Sequence, residues 1–155
     1  AVLDQDPMVD VIFASRFLDL KYIKQYSMLR TFGNFVFNFL TVCLTGCRLS
    51  DTGTGIVFIR TSALAKVPFH SLTNSFQFNP QLAILFSEVP GIRIREVPLL
   101  WQDSIARSNI VPLKYCWTLL KILVAYRINK TFRRKSGWQA FYASPQTLQP
   151  SFTIF

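Results

Sequence analysis

Asp51, Thr52, Gly53, Thr54 and Gly55 put one carboxylate, two hydroxyls and two glycines into five consecutive residues. Leu49-Ser50 precede them and the strand-like run Ile56-Val57-Phe58-Ile59-Arg60 follows. Such a loop lets backbone approach a ligand closely, because glycine tolerates φ > 0 and carries no Cβ. The same residue types also make ordinary connectors, so the neighbouring elements must decide between the two readings. Arg16 is a second candidate. It follows the apolar run Val9 to Ala14, which reads as a mostly buried strand, and in open α/β sheets ligands gather at the carboxyl ends of strands. An anion would suit Arg16 there, and so would plain solvent.

The element before the loop is a long helical pattern from about Ser27 to Gly46. No charge occurs between Arg30 and Arg48, and Phe32, Phe35, Val36, Phe37, Phe39, Leu40, Val42 and Leu44 cover most of its circumference. Arg30, Asn34, Asn38, Thr41 and Thr45 recur at spacings of four, four, three and four, which places them on one face. That stripe either faces solvent or carries Arg30 and Asn34 into a site. A membrane span is disfavoured, since the uncharged stretch barely reaches the roughly 20 residues a bilayer requires.

Beyond the loop the pattern predicts a strand over 56–60, a short helix from about Thr61 to Lys66 and a helix opening at Phe76-Gln77-Phe78-Asn79-Pro80-Gln81-Leu82 and running to about Ser87. Proline is tolerated in that first turn, and Pro90-Gly91 breaks the helix. A strand through Ile92, Ile94 and Val97 continues past Pro98 toward Trp101. A basic amphipathic helix follows over about Pro112 to Asn129, with Lys114, Thr118 and Lys121 as a narrow polar stripe.

Charge is unevenly distributed. Residues 104–155 contain eight Lys/Arg and no acid, whereas residues 1–103 nearly balance, so almost all of the net +9 lies in the last third. Apolar and aromatic residues fill the gaps between those charges, which favours a membrane surface over a nucleic-acid groove. Arg127, Lys130, Arg133, Arg134 and Lys135 add an attraction for anionic lipid. Cys43, Cys47 and Cys116 form no disulfide framework, and with His70 as the only histidine no zinc set is expected. No secretory signal is visible at Ala1 to Asp6. The absence of an initiator methionine fits either its removal or a chain cut from a longer one.

Six blocks in order resemble glycosyltransferase family 2, and among its members the polyprenyl (dolichyl) phosphate sugar synthases. They are Ser15-Arg16-Phe17; Arg30 with Gly33-Asn34 and Asn38; Leu49 to Gly55; Phe76 to Leu82; Ile94-Arg95-Glu96-Val97-Pro98; and Ser108-Asn109. The resemblance implies an α/β fold, the C-terminal acceptor half of a GT-A-type domain over residues 1–110; the amphipathic and basic pattern makes 111–135 a membrane-interface helix, and the composition makes 136–155 a loose tail. The resemblance also implies transfer of a sugar from a nucleotide-sugar to a lipid (polyprenyl) phosphate, by a peripheral protein at the cytoplasmic face of a membrane. A nucleoside diphosphate leaves in such a transfer, so cations must meet the charge that develops on phosphate.

Position by position, Asp51 is the candidate catalytic residue. Arg16 resembles the arginine near the donor phosphates, and Arg30 and Asn34 resemble the residues that hold the acceptor phosphate. Thr54 and Gly55 resemble the loop beneath the sugar, and Gln77 belongs to the block that lines it. Arg107, Ser108 and Asn109 resemble the segment that folds over the phosphates. The family implies Mg2+ or Mn2+, but the first nucleotide-binding half and its paired aspartates have no counterpart here. Asp4 and Asp6 echo that motif too close to Ser15 for the usual intervening helix. Gln77, Asn79 and Gln81 stand where the family commonly has carboxylates, and an amide neither takes a proton nor balances a cation. Sugar transfer by this chain alone is therefore not expected. A complete transferase or a separate nucleotide-binding half is the expected partner, and nucleic acid is not. The alternative is a non-catalytic membrane-peripheral module that binds lipid phosphate or a partner.

Overall fold

The structure, a computed structural model, describes residues 6–19, 28–99 and 112–132, with backbone alone at 29, 30, 112 and 113. The described residues form a mixed α/β unit around a three-stranded sheet. Its strands are β1 (Val11–Ser15), β2 (Val57–Ile59) and β3 (Ile94–Pro98), in the order β2-β1-β3. β1 is central, and all five of its residues are buried. That is why its sequence reads as a continuous apolar run and not as an alternation.

β1 pairs antiparallel with β2, Val11 opposite Ile59 and Phe13 opposite Val57, and parallel with β3, Val11 opposite Ile94 and Ser15 opposite Pro98. Two consequences follow. The carboxyl ends of β1 and β3 coincide, and because β2 runs the other way, the loop that feeds it arrives at that same end. Topology alone therefore carries residues 50–55 to the carboxyl end of the central strand, where Ala14 donates its amide to the Ile56 carbonyl at 3.1 Å. Arg16 is the first residue beyond β1.

Four helices accompany the sheet: α1 (Met28–Thr45), α2 (Thr61–Leu64), α3 (Phe78–Glu88) and α4 (Pro112–Phe132), with a 3-10 turn at Phe69–Ser71. Val11 and Phe13 of β1 pack with Leu82, Ala83, Ile84, Leu85 and Phe86 of α3 and with Leu119, Leu123 and Tyr126 of α4 in one apolar core. α3 is buried from Pro80 to Phe86. Pro80 is its third residue, where the missing N–H would have had no partner within the helix. Positive φ occurs at Gly46, which ends α1 (φ 81°), and at Gly91, which turns the chain toward β3 (φ 79°). These, and not the glycines of the 50–55 loop, are where the described backbone needs the left-handed region.

α1 corrects one sequence-based alternative. Its polar stripe does not face solvent: Thr41 and Thr45 are buried and Asn38 is half-buried. Each threonine hydroxyl donates to the carbonyl four residues earlier, Thr41 to Phe37 at 2.8 Å and Thr45 to Thr41 at 2.6 Å, so burial costs no unmade bond. The aromatic arc faces outward, with Phe32 67% and Phe39 66% exposed. Phe37, Leu40 and Leu44, between the two, pack on the core.

α4 is clamped by a polar junction at the end of α3. The Tyr126 hydroxyl donates to Glu88 Oε1, and Lys130 Nζ lies 2.9 Å from the same oxygen and 3.1 Å from the Tyr126 hydroxyl. The partition of α4 is less clean than its sequence suggests: Trp117, Val124 and Ile128 are exposed alongside Lys114 and Lys121. None of the described helices is long and apolar enough to cross a membrane.

Burial, then the Glu88 hydrogen bond, push the Tyr126 hydroxyl well above the usual tyrosine range, and burial pushes Tyr115 up to about 12. Both protonated phenols stabilise the fold below the unfolded tyrosine value of about 10, and that stability is lost as pH rises past it. Burial also pushes the Cys47 thiol up, so urea midpoints should begin to fall above the unfolded thiol value of about 8.5 and fall more steeply above about pH 10. Tyr126→Phe should make the alkaline fall shallower; an unchanged slope would contradict the burial of this hydroxyl.

Candidate functional site

The side chains at the carboxyl end of β1 organise around Asp51, which is 1% exposed. Its Oδ2 accepts from Arg16 Nε at 2.6 Å and from the Arg16 amide at 3.1 Å, and its Oδ1 accepts from the second guanidinium nitrogen at 2.7 Å. This is a bidentate, charge-assisted pair, the geometry in which a guanidinium fork and a carboxylate are most specific. The Arg16 side chain is 19% exposed, against 1% for Asp51.

A second set of bonds fixes the residues on either side of Asp51. Glu96 Oε1 on β3 accepts from the Ser50 amide at 2.8 Å and from the Ser50 hydroxyl at 2.7 Å. Ser15 and Ser50 oxygens lie 2.6 Å apart, and since the Ser50 proton goes to Glu96, Ser15 is the donor between them. The Ser15 oxygen in turn accepts the Phe17 amide at 3.2 Å. From the other side Asn38 on α1 donates to the Ser50 carbonyl, while its oxygen accepts the Thr52 amide at 3.1 Å and the Thr52 hydroxyl at 2.8 Å. β1, β3 and α1 thus each hold the loop through one side chain or more.

Within the loop, the buried Thr54 closes a turn, its amide donating to the Asp51 carbonyl at 3.4 Å and its hydroxyl accepting the Ile56 amide at 3.4 Å. Gly53 and Gly55 form the exposed rim. A Cβ at Gly53 would sit 3.6 Å from the Arg16 guanidinium, and one at Gly55 would sit 3.9 Å from the Asn79 amide nitrogen. Both are ordinary contacts, so no neighbouring atom of the chain excludes a side chain here. What glycine does at the rim is leave the loop backbone exposed.

The predicted site residues divide clearly. Arg16, Asp51, Thr54 and Gly55 are brought together, and Asn79 at the start of α3 abuts them. Asn34 lies half-buried one turn before Asn38, on the same face of α1. Gln77 is buried just ahead of α3, with its oxygen accepting from Ser75 at 2.6 Å. Gln81 is turned away to tie down Thr73, accepting its amide at 3.0 Å and its hydroxyl at 3.1 Å. The Arg30 side chain and all of Arg107, Ser108 and Asn109 lie outside the described residues, as do Asp4 and the cluster at 133–135. Two residues that carry the site had no individual role assigned from the sequence, although both lie in blocks that resemble the family: Asn38, also a member of the helical stripe, and Glu96, the single acid in a strand whose alternation is loose.

The metal the family implies is not matched by these residues. Asp51 spends both oxygens on Arg16. Asp6 lies before β1, at the other end of the sheet, where Oδ1 accepts the Met8 amide at 3.1 Å and Oδ2 pairs with Arg95 at 3.2 Å. Among the described residues no three His, Cys, Asp or Glu side chains gather as a metal site. A cavity of about 340 Å³ between Arg48, Leu49, Phe86, Ser87, Ile92 and Ile94 lies by the start of β3 and contains none of the Arg16 cluster. No family model, curated protein or solved structure matches this chain, which leaves its own residues as the basis for assigning function.

Removing one partner of a buried ion pair strands the other, at a cost of about 3–5 kcal/mol. Asp51→Asn should lower the urea unfolding free energy by about that much, and Asn38→Ala, which releases three bonds to the loop, by about 1–3 kcal/mol. A loss below about 0.5 kcal/mol for Asp51→Asn, as at an ordinary surface position, would contradict the burial of the pair.

Proposed function

We propose that the chain is the acceptor-side part of a GT-A-type, family 2 glycosyltransferase-like protein, which positions a lipid (polyprenyl) phosphate at a membrane surface for sugar transfer from a nucleotide-sugar. The observation that carries this reading is convergence: Ser15-Arg16, Asn38, Ser50 to Gly55 and Glu96, drawn from four of the blocks that resemble that family, form one hydrogen-bonded cluster at the carboxyl end of the sheet.

In this reading Asp51 is a positioning residue. With both oxygens accepting from Arg16, it aims the guanidinium edge toward the rim formed by Gly53 and Gly55, where a diphosphate leaving group would meet a fixed positive charge. Arg30 and Asn34 hold the acceptor phosphate, and Arg107, Ser108 and Asn109 cover the donor. A nucleotide-binding half, on a longer chain or on a partner protein, would have to hold the nucleoside and any Mg2+ or Mn2+. Among the described residues, positions 77, 79 and 81, where the family commonly has carboxylates, are amides that neither take a proton nor balance a cation, and two of them are engaged in local bonds. That last observation favours, as a second reading, a non-catalytic lipid-phosphate-binding module.

Polyprenyl phosphate in detergent micelles should bind in a titration, and polyprenol without the phosphate should bind at least about tenfold more weakly, as expected for a charge-assisted contact. Arg30→Ala should remove most of that difference. Equal binding of the alcohol and the phosphate would overturn the acceptor assignment. Addition of nucleotide-sugar and Mn2+ should give no glycosylated lipid, and robust turnover by this chain alone would show that a donor site exists within it.

A further inference from the structure

The outward face of α1 is the largest feature that the cluster at Asp51 leaves unused. Met28, Phe32, Phe35, Val36, Phe39 and Val42 are all exposed. At about 100° per residue they share a single arc of roughly 120°, with Cys43 inside it. A soluble helix ordinarily turns such an arc inward; here the inward side carries the polar stripe together with Phe37, Leu40 and Leu44. The outer face of α4, which packs beside α1, presents Trp117, Val124 and Ile128 among Lys114 and Lys121, and the Lys121 ammonium lies 5.3 Å from the Trp117 ring centroid. Apolar surface of this extent marks an interaction site.

The charges select the occupant. Residues 31–47 carry no charge, and residues 104–155 carry eight Lys/Arg and no acid. Stacking two copies through these faces would bring like charges together, whereas an anionic bilayer satisfies both components at once: rings into the acyl boundary, lysines and an interfacial tryptophan at the head groups. We infer that α1 inserts its Phe32, Phe35 and Phe39 face into the surface of an anionic membrane, flanked by the lysines of α4. This deepens the lipid-phosphate reading by naming α1 as the inserted element, a role beyond the electrostatic attraction of the basic C-terminal part. It also has a geometric consequence. Asn38, on the inner side of α1, holds Ser50 and Thr52, so the Asp51 loop sits about one helix diameter, ~10–12 Å, from the lipid. A head group that stays in the membrane can reach it.

The test uses vesicles of phosphatidylglycerol and phosphatidylcholine with no polyprenyl phosphate, so that its failure is separate from failure of the acceptor assignment. With Cys116→Ser in place and a nitroxide on the exposed Cys43, the label should report a depth below the phosphate plane, about 5–10 Å for an interfacial helix. Phe32→Ser with Phe39→Ser should weaken partitioning by about tenfold or more for each ring. Lys114→Gln with Lys121→Gln should weaken binding to anionic vesicles and leave the weaker binding to pure phosphatidylcholine unchanged. Because the two phenylalanines touch solvent, the urea midpoint of their double variant should match the parent, which keeps a failure to fold from passing as a failure to bind. A Cys43 label that stays in water on bound vesicles, parental partitioning by the phenylalanine variant, or a self-associated chain that ignores vesicles would each overturn the inference.

Discussion

The ion pair between Arg16 and Asp51 is the constraint on which the rest of this end of the molecule depends. A carboxylate that is almost fully buried is tolerable only if its charge is met, and the Arg16 fork meets it through both oxygens while the Arg16 amide adds a third bond. Because Arg16 directly follows β1, the pair ties the 50–55 loop to the buried central strand of the sheet. Glu96 and Asn38 then remove the remaining freedom, one from β3 and one from α1. The outcome is a loop whose backbone is held on three sides while its glycine rim stays open.

α1 joins that loop to the outside of the molecule. Its inner polar stripe solves a local problem, since Thr41 and Thr45 satisfy themselves against their own helix and Asn38 caps the loop, while Phe32, Phe35 and Phe39 lie on the outward side and Phe37 packs on the core. With the loop held on one side and an exposed aromatic arc on the other, α1 has two unlike faces. At the other end of α1, the Tyr126 and Glu88 junction keeps α4 alongside it, so the two outward faces stay in register.

Much of the fold was legible because short-range physics dominates it. β1 read as buried because it is covered on both faces, α3 read as a helix through a tolerated Pro80, and Gly46 and Pro90-Gly91 ended their helices where the backbone demanded it. What the sequence could not give was orientation. The stripe from Asn34 to Thr45 was visible, but which side of α1 faced the core depended on Asn38 finding Ser50 and Thr52, a contact between elements that no spacing records. The site was legible as candidates and not as partners. Arg16 and Asp51 were each singled out for a ligand, yet 35 residues of sequence separate two groups that bond to each other. The glycines of the loop invited an argument from positive φ that belongs instead to Gly46 and Gly91. Glu96 was quoted within a block, but its bond to Ser50 was not legible, because a lone acid in an irregularly alternating strand looks like an outward-facing one.

The most direct test of the account is the side-chain Nε–H resonance of Arg16, because a guanidinium locked onto a buried carboxylate is shielded from solvent. In a nitrogen-15 labelled sample near neutral pH, Arg16 should give one sharp Nε–H peak that exchanges with water far more slowly than those of the exposed Arg48 and Arg127, with a cross-bond coupling or contact to the Asp51 carboxylate. An Arg16 Nε–H that exchanges as fast as those two would mean that the pair is open in solution, and the loop at the carboxyl end of β1 would lose the anchor assigned to it.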